Sequence, residues 1–329
     1  MADDILAAYN VARRVWHANL GPIRTPQLDE VHEDMWDIVD SNQQDGEKAK
    51  GGIALDALAG LGKTTTALAF AMAFHRREIA EKGELTRAGQ ERHPVCRISL
   101  NGNTGMRDLN RALMEFFAHP GSRRGTAADF QHRALDSALS CECRLLVLDE
   151  LHFLKRSKTN RAEVSNQLKT IANDFPVTLV VIGIDLASLG LLGDIGSGNP
   201  ALDQTARRTT LLTMKPFTVK TAQGRRQWRN MLLAIEKRVV LADTFPGMIA
   251  DELSDYLFAR TTGHIGSLMT LINRGCQRAI RTGAERLDRE LMDRVKNDAG
   301  AEKARKELEA ALETGRMTTR IAPGRARKQ

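Results

Sequence analysis

The chain has 329 residues, enough for one large domain or two, and 42% of them are hydrophobic, enough for a buried core. Aromatic residues are only 5%, which argues against a β-sandwich interior and suits an α/β core rich in Leu, Ile, Val and Ala. The net charge of +7 and a pI near 9.4 point to a polyanionic partner. No run of 18 apolar residues and no charged-then-apolar leader is present, so no membrane association and a cytoplasmic location are expected.

Residues 1–50 read as a polar, mostly helical lead-in. The stretch "LGPIRTPQL" interrupts it with Pro22 and Pro26, which break helix. Beyond it, Leu28, Val31, Met35, Ile38 and Val39 recur at helical spacing. "SNQQDGEKAKGG" then forms a linker. From residue 51 strands and helices alternate. The strands are "GIALDAL" (52–58), "VCRISL", "RLLVLDE" (144–150), "VTLVVIGI" (177–184) and the shorter "RTTLLTM" (208–214). Helices are expected over residues 63–80, over "MRDLNRALMEFFA", after the loop "PGSRRGTAAD", and over "AEVSNQLKTIANDF". This alternation predicts an α/β fold, a mainly parallel sheet covered by helices on both faces, across residues 51–216.

After Pro216 the strand signal stops. Several helices follow over residues 222–312, broken by "TFPG", "TTGHIG" and "RTGAE", so 217–312 reads as a small helical domain. Residues 316–329 carry five Lys/Arg and no acid, and 313–329 reads as a basic tail. Two readings of it stand, a disordered solvated end or an arm that touches nucleic acid. Of the four cysteines, Cys141 and Cys143 are too close for a C-x-x-C metal clip, so buried or inert thiols are expected.

The chemistry concentrates at "ALAGLGKTTTALAF", residues 57–70. It matches the phosphate-loop pattern G-x-x-x-x-G-K-[ST] at Gly62, Lys63 and Thr64 but has Ala57 in place of the first glycine. A helix N-terminus behind glycines offers unpaired N–H groups to phosphate oxygens. Ala59, Gly60, Leu61, Gly62, Lys63, Thr64 and Thr65 are therefore the candidate nucleotide cradle. Lys63 can reach the β- and γ-phosphates, and Thr64 can offer its hydroxyl to Mg²⁺. An alanine at position 57 fits if its φ is negative.

"RLLVLDELHFL" delivers Asp149 and Glu150 to the C-terminal end of a strand, the edge where ligands of such sheets bind. Asp149 can hold Mg²⁺, and Glu150 can orient or deprotonate the attacking water. At the end of the next strand, Asp185 either senses the γ-phosphate or caps the following helix. In "DQTARRTTLL", Arg207 or Arg208 is either an arginine finger for a neighbouring subunit's nucleotide or part of a surface basic pair.

These motifs together resemble the AAA+ ATPases, a P-loop NTPase fold with a helical lid. Within them the order resembles the TniB/TnsC group of transposition ATPases, akin to MuB and IstB. "RRVWHANLGPIRTPQLDEVHEDM" resembles that group's lead-in. "LDELHFL…NQLKTIANDFPVTLVVIGIDLA" resembles its Walker B-to-sensor stretch, and "TTGHIGSLMTLINRGCQRAI" its lid helix. The resemblance covers residues 10–300. It implies ATP and Mg²⁺ as cofactors and a ring or filament of copies on duplex DNA. It also implies recruitment or stimulation of a DDE transposase, with hydrolysis driving disassembly. Carried over by position, Lys63 and Thr64 are Walker A, Asp149 and Glu150 are Walker B, and Arg207 or Arg208 is the finger. The lid motif G-x-x-R reads Gly263-His264-Ile265-Gly266, so its arginine is missing; Arg274 is a candidate substitute. That departure implies slow hydrolysis.

Candidate DNA contacts are Asn103, Thr104 and Arg107 after the second strand and Lys155, Arg156 and Lys158 after Walker B, with "GRRQWR" (224–229) as a third basic stretch. No base-reading module is visible, so contact with duplex DNA is expected to be largely independent of sequence. Rival classes are a STAND-type signalling switch, a helicase-loader-like ATPase and a small-molecule P-loop kinase. The first lacks room for a repeat sensor, and the last has no use for a lid or an arginine pair.

Overall fold

A computed structural model describes residues 3–43, 50–100, 106–150, 171, 175, 177–186 and 208–321. Among these, five strands form one sheet in the order β2-β3-β4-β1-β5, every neighbouring pair parallel. The strands are β1 (Gly52–Asp56), β2 (Val95–Ser99), β3 (Leu145–Asp149), β4 (Thr178–Gly183) and β5 (Thr209–Thr213). Burial explains the composition of each. Every residue of β3 and β4 is buried, as their continuous apolar runs require, whereas the edge strands β2 and β5 alternate or open to solvent.

The chain divides into two compact units. One comprises Asp29–Ala59 and Lys63–Met214; the other comprises Met1–Leu28, Gly60–Gly62 and Lys215–Gln329.

In the sheet unit, β1 feeds α3 (Lys63–Lys82), which buries Ala67, Phe70, Ala71 and Phe74 on one face. Helix α2 (Pro26–Ser41) buries Val31, Met35 and Val39 at the predicted spacing. Its Trp36 ring lies 4.6 Å from Phe70, and His32 Nε2 is 2.9 Å from the Thr66 carbonyl oxygen. Pro26 opens this helix. Thr25 Oγ1 accepts the Leu28 N–H at 3.2 Å, and a proline in the first turn has no N–H to lose. At the other end of α2, buried Asn42 donates to the Gly51 carbonyl at 2.8 Å and to Thr178 Oγ1 at 2.9 Å, tying the helix to the starts of β1 and β4. Helices α4 (Met106–Phe116) and α5 (Ala127–Ser140) pack together over Leu109, Leu113, Phe130 and Ala134. A full capping box of Thr126 and Asp129 starts α5. The helix expected over "AEVSNQLKTIANDF" falls mostly outside the described residues.

The helical unit contains α1 (Asp3–Ala18), α6 (Ala222–Glu236), a π-helical turn at Met248–Glu252, α7 (Ser254–Thr261), α8 (Ile265–Thr282), α9 (Arg289–Asp293) and α10 (Ala299–Glu313). Its core centres on Trp228, fully buried and edge-on to Phe258 at 5.3 Å. The breaks at "TFPG", "TTGHIG" and "RTGAE" fall between helices, as the punctuation predicts. After α10 the chain docks at Thr319, which is 1% exposed and donates to Ser254 Oγ at 2.7 Å. Residues 322–329 lie outside the described part.

Candidate functional site: a phosphate loop facing paired carboxylates

The parallel register brings the strand ends into one row. Ser99 pairs with Asp149 across β2 and β3, and Asp56 pairs with Gly183 and Thr213. The residues that follow these ends build the site.

After Asp56 the chain turns through residues 57–62 into α3. Gly60 and Gly62 take φ of +76° and +84°, the left-handed region that a Cβ disfavours, so both glycines are needed to make the turn. Ala57 does not take a positive φ; its methyl is buried and its N–H donates to the Gly183 carbonyl at 3.3 Å. Loss of the first motif glycine therefore costs no backbone strain. Leu61 is 3% exposed, whereas Ala59 is exposed.

Lys63 is the first residue of α3. Its Nζ curls back to donate to the Ala57 carbonyl at 2.7 Å and the Leu58 carbonyl at 2.8 Å. Burial lowers the pKa of its ammonium, opposed by the charges of Asp56 and Asp149. Thr64 Oγ1 donates to Asp149 Oδ1 at 3.2 Å. This contact spans 85 residues of sequence and brings the two candidate metal-holding side chains together. Thr65 follows in the same helical turn.

Asp149 is 3% exposed. Besides Thr64, its Oδ1 accepts the Glu150 N–H at 2.9 Å, and its Oδ2 accepts from Arg97 Nη2 at 3.3 Å. Glu150 itself is exposed and has φ of +63°. That backbone setting departs from the strand and turns the second carboxylate to solvent, with Ser99 Oγ at 3.5 Å from its Oε2. The two adjacent acids thus have different surroundings, one buried and saturated with donors, the other open.

Asp185 follows β4 with φ of +56°; its N–H donates to Asp56 Oδ1 at 2.7 Å, and Leu186 N–H donates to Asp56 Oδ2 at 3.3 Å. Asp56 thus fixes the loop that presents Asp185, whose side chain is exposed. Arg208 immediately precedes β5, and its carbonyl accepts the Gly52 N–H at 2.8 Å. Arg107 is exposed on α4, donating to the Gly125 carbonyl at 3.1 Å and covering the Phe130 ring at 5.5 Å. Arg207, Asn103, Thr104, Lys155, Arg156 and Lys158 lie outside the described residues. In the helical unit, Arg274 Nη1 donates to the Lys296 carbonyl at 2.8 Å.

Two participants, Asp56 and Arg97, escaped the reading of the sequence. Asp56 had a signal, an acid at the end of an apolar run. Arg97 had none, because its partner is visible only once β2 lies beside β3.

Residues 46–187 match the AAA domain family. No curated protein sequence matches the chain. Among solved structures it is similar to the Aeropyrum pernix ORC1 protein in complex with DNA, with a TM-score of 0.62, 19% identity, and 91% of this chain and 70% of that chain covered. It is also similar to Aeropyrum pernix ORC2 in its ADPNP–ADP complexes, with a TM-score of 0.58, 13% identity, and 85% and 66% covered. A third similarity is to Cdc6p from Pyrobaculum aerophilum, with a TM-score of 0.56, 16% identity, and 80% and 64% covered. The fold is that of the AAA+ P-loop NTPases, a parallel sheet flanked by helices with a helical C-terminal region.

Proposed function

We propose that the protein is an ATPase that assembles on duplex DNA in its ATP-bound form. In this reading the assembly marks a transposition target and recruits or stimulates a DDE transposase, as in the TniB/TnsC group, and hydrolysis dismantles it. The observation that carries the nucleotide part is the Thr64–Asp149 contact beneath a loop whose lysine already faces backbone oxygens. Thr64 and Asp149, a hydroxyl and a buried carboxylate at hydrogen-bond distance, would hold Mg²⁺. Bound Mg²⁺ supplies neutralisation of the β- and γ-phosphate charge.

The chain's own residues do the rest. Lys63 exchanges the Ala57 and Leu58 carbonyls for phosphate oxygens. The N–H groups from Ala59 to Thr65 wrap the phosphates. Glu150, open to solvent and close to Ser99, orients the attacking water and accepts its proton. Asp185 stands at the neighbouring strand end to sense the γ-phosphate. Arg207 or Arg208 of an adjoining copy offsets transition-state charge. Without an arginine at Gly266, and with Arg274 engaged at Lys296, hydrolysis is slow, which suits a lasting mark on DNA.

Support for DNA comes from the charge of +7 and from ORC1, described in complex with DNA. Support for the transposition role comes from the quoted motif stretches. The test is Lys63→Ala. It is expected to abolish ATP-dependent DNA binding by fluorescence anisotropy, and undiminished binding with ATP present overturns the ATP switch. A second reading of the same nucleotide site is a helicase-loader-like ATPase. Capture of a transposase or of a helicase by the ATP-loaded, DNA-bound protein separates the two.

A further inference from the structure

Helix α8 runs 18 residues without an Asp or Glu and carries three arginines, Arg274, Arg278 and Arg281. At 100° per residue they fall within an arc of about 60°, on the side away from buried Leu268, Ile272, Cys276 and Ala279. Thr270 and Gln277 border the same arc. Among the described residues neither Arg278 nor Arg281 has an ion-pair partner, and Arg274 gives one bond to a backbone carbonyl, not to an acid. Helix α1 packs alongside and adds Arg14, whose carbonyl accepts from Gln277 Nε2 at 2.8 Å. Glu285, just past the end of α8, is held bidentate by Arg13 at 2.5 Å and is thereby engaged away from the stripe.

We propose that this stripe is a contact for the phosphate backbone of duplex nucleic acid, separate from the loops beside the nucleotide site. Three features select that ligand. Three guanidinium groups cover a rise of about 10.5 Å, from seven residues at 1.5 Å each. One strand of a duplex presents a phosphate every 3.4 Å of axis, about three over the same length. Arg and Thr are side chains that bond phosphate oxygens without reading bases. A lipid surface fits less well, because the apolar face of α8 is committed to the core and the stripe has no apolar side chain to insert.

The inference rests on the DNA-binding reading above, and the experiment separates the two. A fluorescent duplex in two unrelated sequences is titrated with the full chain and a non-hydrolysable ATP analogue between about 50 and 200 mM salt. The variant R274Q/R278Q/R281Q is expected to bind roughly tenfold more weakly, with the slope of log K against log salt flattened by about 2.7, equally for both sequences. R274K/R278K/R281K is expected to keep the wild-type slope. Nucleotide affinity and the thermal midpoint stay unchanged in R278Q/R281Q, which spares Arg274 and its bond to the Lys296 carbonyl. If the triple glutamine variant misfolds, Arg281→Gln alone is expected to flatten the slope by about 0.9. A glutamine variant that binds DNA with the wild-type slope overturns the stripe and leaves the proposed function standing. A loss seen only on phosphatidylserine vesicles overturns it too. Wild-type protein that binds no duplex overturns both. Lys63→Ala binding like wild type sinks only the ATP switch.

Discussion

Asp149 accepts from Thr64, from the Glu150 amide and from Arg97 while 97% of its surface is withdrawn from solvent at a relative exposure of 3%. Deleting that carboxylate leaves three part-buried donors; Arg97, 41% exposed, turns to water, and the other two bonds are lost at about 1 kcal/mol each. Asp149→Ala is therefore expected to lower stability by about 2 kcal/mol, read by urea denaturation, and to remove Mg²⁺-dependent nucleotide binding. Arg13 and Glu285 make a second residue-scale case. Hydrogen bonding to Arg13 holds the Glu285 carboxyl below its usual pKa of 4.5, against the opposing effect of burial. A depressed carboxyl stabilises the fold above its unfolded pKa and loses that contribution as pH falls through its folded value. Wild-type stability should thus drop more steeply below pH 4.5 than that of Glu285→Gln, measured by thermal midpoints across an acid series.

Between helices of the C-terminal unit, one glycine sets the geometry. Gly263 takes φ of +75° after α7, its carbonyl accepts the Phe217 N–H at 2.9 Å, and a Cβ there would sit 2.2 Å from the Phe217 carbonyl oxygen. Both strain and collision oppose any side chain, so Gly263→Ala is expected to cost more than about 2 kcal/mol and to show as a lowered thermal midpoint. At α5 the effect is milder. Thr126 accepts from the Asp129 amide at 3.2 Å while Asp129 accepts from Thr126, so Thr126→Ala is expected to cost about 1 kcal/mol. Element types and approximate limits were legible in the chain because buried parallel strands must be apolar throughout and helices must repeat near every fourth residue. Pro26 was harder. Its helix-breaking tendency was plain, but its use as the first residue of α2 depends on Thr25 standing just before it.

For the molecule as a whole, coupling between nucleotide and assembly is the expectation most open to measurement. Glu150→Gln leaves the loop, Thr64 and Asp149 in place and removes only the proposed base. It is expected to accumulate as a DNA-bound polymer with ATP, sedimenting fast and releasing slowly. If Glu150→Gln sediments as a monomer with ATP and duplex while the wild type assembles, hydrolysis is not the step that dismantles the polymer. The phosphate loop and the adjacent acids were readable because each motif is contiguous: a turn needs its glycines, and a strand end carries its own polar residue. The partnerships around them were not. Arg97 meets Asp149 across 52 residues, Asp56 meets the Asp185 amide across 129, and Arg13 meets Glu285 across 272. Local periodicity carries no record of such distances. They follow from the strand order β2-β3-β4-β1-β5 and from helix packing, where burial of apolar faces chooses the neighbours and each polar group must then find its partner among whatever has been brought near.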